Sequence, residues 1–551
     1  MQLLLGFLLA MSVTMALIPL LMKMAVRWHF VDVPGERKVH SSPVPRVGGI
    51  AMAAGTLLAL VLPGQFAQPM LAYLAAVVVL LLFGIWDDRV TLGAGPKFVG
   101  QIIAVLIIMI WGGVSVSSIT LTDRHVVPEL ISLPLTFLFI LGVTNAINLA
   151  DGLDGLAGGT TLLSLSALAL LATTYSSSFV GPAAIVIIGS ILGFLRYNTH
   201  PARVFMGDAG SQILGFSAAV LSIVLTQDRS TPLSSALPLL LLGVPIVDTL
   251  MVMTQRIMAG HSPFHADRNH VHHRLLALGF DHHEAVVAIY LLQGGLFLTA
   301  WFLRYESDLT IVAIFGAFSL ATVGLLHVAA HAGWRWRAPA VSSTTPVSNL
   351  GRAVRWLCMP RHLPYWALLT IAAAVTVFFG RIAIGCPAPS LDVRIMAALL
   401  AVILGISLLW RWRAIDAGWV DKTVLYVATV MAVYFDRRID QQINLGGASL
   451  ATLEWAIYGL LLVSIIVRFR LSGDRRFRVT PLDVLVIFVA VAVPNLPGSI
   501  ATPATFGEGI AKLITLLYGL EILLGATSKA WRLPAAAALV FLGVCALRGF
   551  A

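Results

Sequence analysis

Asp87, Asp88 and Lys97 are the residues of this chain best suited to chemistry. They stand in LLFGIWDDRVTLGAGPKFVGQ, where an apolar run ends in two adjacent carboxylates. Lys97 follows on the next loop and Gln101 opens the next apolar run. Adjacent carboxylates repel each other unless a cation or Mg²⁺ sits between or beside them. Such a pair suits phosphate handling at a bilayer boundary, although an ordinary charged loop tip would use the same residue types.

Four more clusters carry comparable chemistry. DVPGERKVHSSPVPRVGG holds Asp32, Arg37, Lys38, His40 and Arg46 in a loop shaped by Pro and Gly. In TNAINLADGLDGLAGG, Asn145, Asn148 and Asp151 recur every three residues and share a helical face. The glycines that follow end the helix and admit a ligand close to the backbone. Amides inside an apolar span are costly and mark function. Their oxygens suit a hard cation, and Asp154 can accept a hydrogen bond from a nucleobase. In RYNTHPARVFMGDAGSQILGF, Asp208 sits where a span begins. Free N–H groups there favour phosphate, and a carboxylate beside them can share Mg²⁺ with it; a plain N-cap is the alternative. GHSPFHADRNHVHHRLLALG brings His265, His270, His272 and His273 together with Arg268 and Arg274. No Cys or suitably spaced acid completes a zinc set, so these donors read as a pyrophosphate clamp.

The elements that must position these groups are membrane helices. The chain has 551 residues, 58% hydrophobic and 11% charged. That composition specifies an all-α polytopic integral membrane protein. Apolar runs start near residues 3, 48, 70, 98, 129, 160, 180, 211, 234, 285 and 309. These are about eleven spans by the ~20-residue criterion, and roughly seven more follow beyond residue 363. The net charge of +10 is spread over short loops, where it orients helices and meets anionic membrane lipids rather than nucleic acid. Arg37, Lys38, Arg46, Arg89, Lys97, Arg196, Arg203, Arg256, Arg268, Arg274, Arg335 and Arg337 all follow odd-numbered spans. One face therefore collects the positive charge and is expected to be cytoplasmic, with the N-terminus outside. All five clusters fall on that face. The first span lacks a small-residue cleavage site and reads as a retained helix. The cysteines, Cys358, Cys386 and Cys545, form no metal or redox spacing.

Residues 1–330 resemble the polyprenyl-phosphate N-acetylhexosamine-1-phosphate transferase superfamily, glycosyltransferase family 4. The Asp87–Asp88 pair, the NxxNxxDGxDGLAGG run, FMGDAGS and the HxHH loop carry the resemblance, in that order. It implies a cytoplasmic-face site in the inner membrane. There a polyprenyl (undecaprenyl) phosphate attacks a UDP-sugar, giving polyprenyl-diphosphate-sugar and UMP, with Mg²⁺ (Mn²⁺ as a substitute) as cofactor. It further implies Asn148 and Asp208 as metal contacts, and Lys97, His270, His272 and His273 on phosphates. Asp154 and Phe205 fall near the uracil, Asp87 at the lipid phosphate, and Asp88 in support of the metal or Lys97. Asn145, Asp151 and Arg268 complete the substrate-binding set. The DRNHVHHRL form resembles the branch that begins O-antigen, common-antigen or teichoic-acid chains from a UDP-N-acetylhexosamine, with UDP-GlcNAc the first expectation.

The expected organisation is a transferase domain over 1–330, a basic linker over 331–363 and a transmembrane extension over 364–551. The extension resembles nothing in that family. Glu454 and Glu521 lie inside its apolar runs, with Lys512 a candidate partner for Glu521. A partner-binding module, a homodimer interface or a transport-type module would each suit it. For the whole chain the competing expectation is a non-catalytic scaffold of polysaccharide assembly.

Overall fold

The computed structural model describes residues 2–336 except 33–42, 63, 65–67, 91, 176, 229, 261 and 263–268. Beyond 336 it describes 363–410, 418–442, 448–471, 480–481, 483–485, 488, 503–525 and 529–548. The described residues form two compact units, one from 2–338 with 480–500, the other from 339–479 with 501–551.

The first unit is a helical bundle. Its helices are α1 (Gln2–Ala25), α2 (Gly48–Val61), α3 (Gln68–Val90), α4 (Ala94–Leu106) and α5 (Glu129–Ala150). Then come α6 (Leu156–Thr174), α7 (Val180–Asn198), α8 (Gly207–Gln227), the short α9 (Pro238–Leu241) and α10 (Gly243–Met258). The last are α11 (Val271–Ala277), α12 (His282–Phe302) and α13 (Asp308–His331). Among the described residues of the whole chain, 11 helices are long and apolar enough to cross a membrane. Eight belong to this unit; α2 and Gly95–Trp111 are apolar but shorter. With the broken α9–α10 segment they account for the eleven runs expected before residue 331.

Helices suit this sequence because a bilayer leaves no water to satisfy the backbone. Hydroxyls inside them can be satisfied in the same way. Thr136 and Thr144 donate to the Ser132 and Ile140 carbonyls one turn back, at 2.6 and 2.7 Å. Helix α8 is the hub: it packs against α2, α3, α5 and α6, and nearly all of it is buried. Small residues allow this. Gly49 on α2 meets Gly210 on α8 so closely that no side chain fits between them.

Two short ribbons close the ends of the bundle. Val31–Asp32 pairs antiparallel with Val44–Pro45, and Ser118–Thr120 with Arg124–Val126. The first ribbon is tied to the segment before α8: Phe205 N–H donates to Pro45 O, and the Gly48 and Gly49 amides donate to the Phe205 and Met206 carbonyls. This ribbon and the start of α2 are therefore fixed to the entry of the hub helix.

The second unit contains helices 363–385, 391–410, 419–442, 448–471, 503–525 and 532–547. Three of its helices meet the membrane-crossing criterion. Trp419–Gln442 is more polar because it carries Asp421, Lys422, Asp436, Arg437, Arg438 and Asp440. Asp436 is fully buried, pairs with Arg381, and receives Lys512 Nζ at 3.1 Å. Glu521 accepts the Tyr426 hydroxyl. The side chain of Glu454 lies outside the described residues.

Candidate active site

The bundle brings four helix ends to one point. Helix α3 delivers Asp87 and Asp88 in its last turn, α4 delivers Lys97 in its first, α5 delivers Asn148 near its end, and α8 starts with Asp208. Lys97 Nζ lies 2.5 Å from Asp208 Oδ1 and 3.0 Å from Asp87 Oδ2, so one ammonium bridges two carboxylates. Asn148 Nδ2 donates to the same Asp208 oxygen at 2.6 Å and to Ser211 Oγ at 2.7 Å. Asp87 also accepts the Leu92 amide at 2.8 Å.

Asp88 has a separate task. Its two oxygens accept the Asp208 and Ala209 amides at 2.8 and 3.1 Å, capping α8 from a neighbouring helix. A carboxylate at a helix N-terminus satisfies orphan donors and favours the helix dipole. Asp88 thus fixes where Asp208 stands. Gly207 makes the approach feasible: its φ is +69°, and an added Cβ would lie 2.5 Å from both Asp88 oxygens. Gly207→Ala should therefore break the cap at a cost of about 1–3 kcal/mol, from backbone strain alone. The checks are a lower thermal midpoint and a loss of activity larger than that seen for Gly142→Ala, where an added Cβ meets nothing within 4 Å.

An amide network braces the site beneath. Asn145 Nδ2 donates to Gln101 Oε1 at 2.7 Å, and Gln101 Nε2 donates to Gln212 Oε1 at 3.2 Å. Asn145 and Asn148 share a face as expected, but only Asn148 touches Asp208.

Asp151 follows the end of α5. Burial, then the charges of Asp208 and Asp154, push its carboxyl up to about 7. An acid raised above its unfolded value stabilises the fold in its protonated form, and that stability is lost as pH rises through the folded pKa. The metal-free protein should therefore lose stability between about pH 4 and 7, and Asp151→Asn should flatten that slope. Thermal unfolding at pH 5.0 and 7.5 in chelator checks this.

Asp154 has gone elsewhere. His200 Nδ1 lies 2.6 Å from Asp154 Oδ2, and the Ala202 amide donates to the same oxygen at 3.0 Å. Burial raises its pKa, yet these hydrogen bonds and the neighbouring His282 outweigh it, and Asp154 is held below the usual carboxylate range. His282 stacks on His200 with ring centroids 4.1 Å apart. Asp154, His200 and His282 could together hold a metal by proximity. The near-parallel stacking and the His200–Asp154 hydrogen bond favour a hydrogen-bonded cluster.

The histidine loop reaches the same end of the bundle. His272 Nε2 is 2.3 Å from where a Cβ on Gly152 would lie, so the loop packs on the DGLDG turn. Burial, then neighbouring His273, lowers the His272 pKa to about 3, so it is a neutral imidazole near pH 7. Among the described residues its Nε2 is buried without a hydrogen-bond partner. His270 is held by Asp248, which also accepts the Val271 amide at 2.6 Å. The His273 ring lies 4.2 Å from that of His272. Phe205 is half-buried beside the first ribbon. Arg268, Arg37, Lys38, His40 and His265 lie outside the described residues.

Four contributors carry no role in the motif reading, although Gln101 is named there as opening a span. Asp248 had a usable signal, an acid inside the apolar run GVPIVDTLMVM. Gln101 had one too, an amide at the start of a span. His200 and His282 had none, because only the fold brings them together.

A multi-pass helical membrane protein whose helix ends gather carboxylates, a lysine and an amide at one end is built to handle phosphates. Residues 70–226 match the glycosyl transferase family 4 model. The chain is 36% identical over 289 residues to a probable undecaprenyl-phosphate N-acetylglucosaminyl 1-phosphate transferase of Bacillus subtilis, covering 52% of this chain and 81% of that relative. It is 37% identical to a decaprenyl-phosphate N-acetylglucosaminephosphotransferase of Mycobacterium leprae, covering 49% and 76%. It is 30% identical to an undecaprenyl-phosphate alpha-N-acetylglucosaminyl 1-phosphate transferase of Escherichia coli O157:H7, covering 48% and 74%. The chain belongs to glycosyl transferase family 4, the polyprenyl-phosphate N-acetylhexosamine-1-phosphate transferases.

Proposed function

We propose that this protein transfers GlcNAc-1-phosphate from UDP-GlcNAc to a polyprenyl phosphate, releasing UMP, at the cytoplasmic face of the inner membrane. The observation that carries the reading is the Lys97 bridge between Asp87 and Asp208, with Asn148 on the same oxygen. The names of the relatives support the acceptor and the sugar.

The reaction forms a bond from a lipid phosphate oxygen to the sugar-linked phosphorus. The bond from that phosphorus to the bridging oxygen of the diphosphate breaks, and the electron pair leaves with UMP. Nucleophile and electrophile are both anionic, so positioning and charge neutralisation carry most of the catalysis. Lys97 supplies a point charge where the phosphates meet. Asp88 holds the N-terminus of α8, and with it Asp208, in register. Neutral His272 is suited to hydrogen-bonding a phosphate oxygen without adding a full charge, and His270 and His273 lie beside it. By the family resemblance Phe205 is the candidate for the uracil, whereas Asp154 is held by His200 and the Ala202 amide. A phosphate monoester has its second pKa near 6, so the nucleophile is largely ionised and needs no strong base. Asp87 then serves to orient it.

Asp87, Asp208 and, with its amide turned over, Asn148 offer oxygens of the kind that would hold Mg²⁺ or Mn²⁺, and these residue types fit that ion. Bound there, the ion would neutralise developing charge on the diphosphate oxygens.

The test is UMP release from UDP-GlcNAc by the full-length protein with polyprenyl phosphate and Mg²⁺, beside a panel of other UDP-N-acetylhexosamines. Turnover with UDP-GlcNAc, abolished by chelator, supports the reading. Turnover only with another donor changes the sugar, and silence with every donor leaves the scaffold reading standing.

A further inference from the structure

The second unit holds two cysteines that the transferase chemistry does not use. Cys386 follows helix 363–385, and Cys545 lies in the last turn of helix 532–547. They are 159 positions apart in sequence, yet their Sγ atoms are 3.0 Å apart. Both are buried, at 1% and 0% exposure. That separation lies inside ordinary nonbonded contact, which is about 3.5–4.0 Å even between carbons.

Bonds that do not involve sulfur hold the two strands of chain together. The Arg548 guanidinium donates to the Ile384 carbonyl at 2.9 Å and to the Cys386 carbonyl. Arg394 Nε donates to the Ala546 carbonyl at 3.3 Å. Helix 532–547 packs against both 363–385 and 391–410, so the juxtaposition belongs to the core of this unit.

Flanking charge bears on which side of the membrane this end faces. Helix 391–410 starts near the cysteines and runs to Arg411 and Arg413 at its far end. Helix 532–547 begins with Arg532 and follows Lys529, both at the end opposite Cys545. The cysteine end also carries Arg381, paired with Asp436, and the end of helix 419–442 that bears Arg437 and Arg438, whose neighbour Ile439 meets Gly385; Arg394 and Arg548 are engaged on backbone carbonyls. Continuing the alternation of spans adopted under the proposed function puts Arg411, Arg413, Lys529 and Arg532 on the cytoplasmic side and the cysteine end on the oxidising exterior, where disulfides persist.

We propose that Cys386 and Cys545 form an intramolecular disulfide that staples the first and last helices of the extension at its exoplasmic end. The pairing itself stands on the geometry; its compartment rests on the sidedness adopted under the proposed function. The co-reactant is a disulfide oxidant of the envelope. One cysteine thiolate attacks its disulfide, and the second displaces it from the mixed disulfide. The two cysteines lose two electrons and two protons, and the oxidant's disulfide becomes a dithiol. A bond closing so long a loop restricts the unfolded chain more than a short-range one would.

The test uses full-length protein in membranes, trapped with N-ethylmaleimide and digested without reduction. We expect a linked peptide pair containing Cys386 and Cys545, lighter by two hydrogen atoms than the two thiol peptides, with Cys358 alkylated. Cys386→Ser and Cys545→Ser should each abolish the linked pair, while Cys358→Ser should retain it. Alkylation of both cysteines without reduction overturns the proposal. A parallel sample treated with diamide then locates the error. A bond formed only with diamide places this end in a reducing compartment and refutes the sidedness. No bond even with diamide refutes the juxtaposition and leaves the sidedness and the transferase reading untouched.

Discussion

Asp208→Asn should lower turnover by roughly 100- to 1,000-fold, the range seen when one preorganised electrostatic contact is removed from a reacting centre. The substitution keeps the shape of the side chain and removes its charge. In the native arrangement Asp208 Oδ1 receives both Lys97 and Asn148, and its own amide is held by Asp88. An amide at position 208 can still accept from Asn148, and Asp87 still holds Lys97 at 3.0 Å. The helix entry and the bundle should therefore survive, with a thermal midpoint close to that of the parent. What disappears is one of the anionic oxygens suited to a hard cation. UMP release at saturating donor, measured across a Mg²⁺ titration, checks the expectation. A loss that high Mg²⁺ fully restores would reduce Asp208 to a modest affinity determinant. Full activity at every concentration would remove it from the site.

Much of this site was legible from residue types alone, for a physical reason. Charges and amides are so costly within or beside hydrocarbon that each one marks itself, and Asp87, Asp88, Asn145, Asn148 and Asp208 all did. The span pattern was legible because a bilayer fixes helix length, so every helix of the first unit except α11, which lies in the histidine loop, falls where an apolar run lies. Division of labour was not legible. Adjacent Asp87 and Asp88 look equivalent in sequence, yet one faces Lys97 and the other caps a helix beginning 119 residues later, at Gly207. The difference arises because successive residues on a helix point in different directions, and only the packing of α3 on α8 says toward what. Asp154 shows the same limit, since its partner His200 arrives on a different loop. The extension yielded least: Asp436 with Arg381 and Lys512 is a pairing of three helices that no local motif encodes.

Lys97→Met should damage both folding and chemistry, unlike Asp208→Asn. Methionine matches the length of lysine and its apolar stem, so packing along the first turn of α4 is retained. Removal of the ammonium leaves Asp87, 5% exposed, and Asp208, 25% exposed, as two carboxylates without their shared cation. Breaking a buried ion pair by deleting one partner typically destabilises by 3–5 kcal/mol; with Lys97 itself 22% exposed, about 3 kcal/mol or less is expected here. Divalent cation can partly take over the neutralising role. The thermal midpoint of Lys97→Met should therefore fall in chelator and recover with Mg²⁺ by more than the parent gains. Activity should not recover with it. A metal ion held by the carboxylates does not replace a cation that must meet the phosphates from the α4 side. Lys97→Arg should keep most of the stability and still lose activity, because a planar guanidinium fork cannot occupy the place of a compact ammonium between two carboxylates. Comparing thermal midpoints and UMP release for the two variants, with and without Mg²⁺, separates the roles. Equal stability of Lys97→Met and the parent in chelator would mean that the carboxylates do not depend on Lys97, and the bridge would lose its place at the centre of the site.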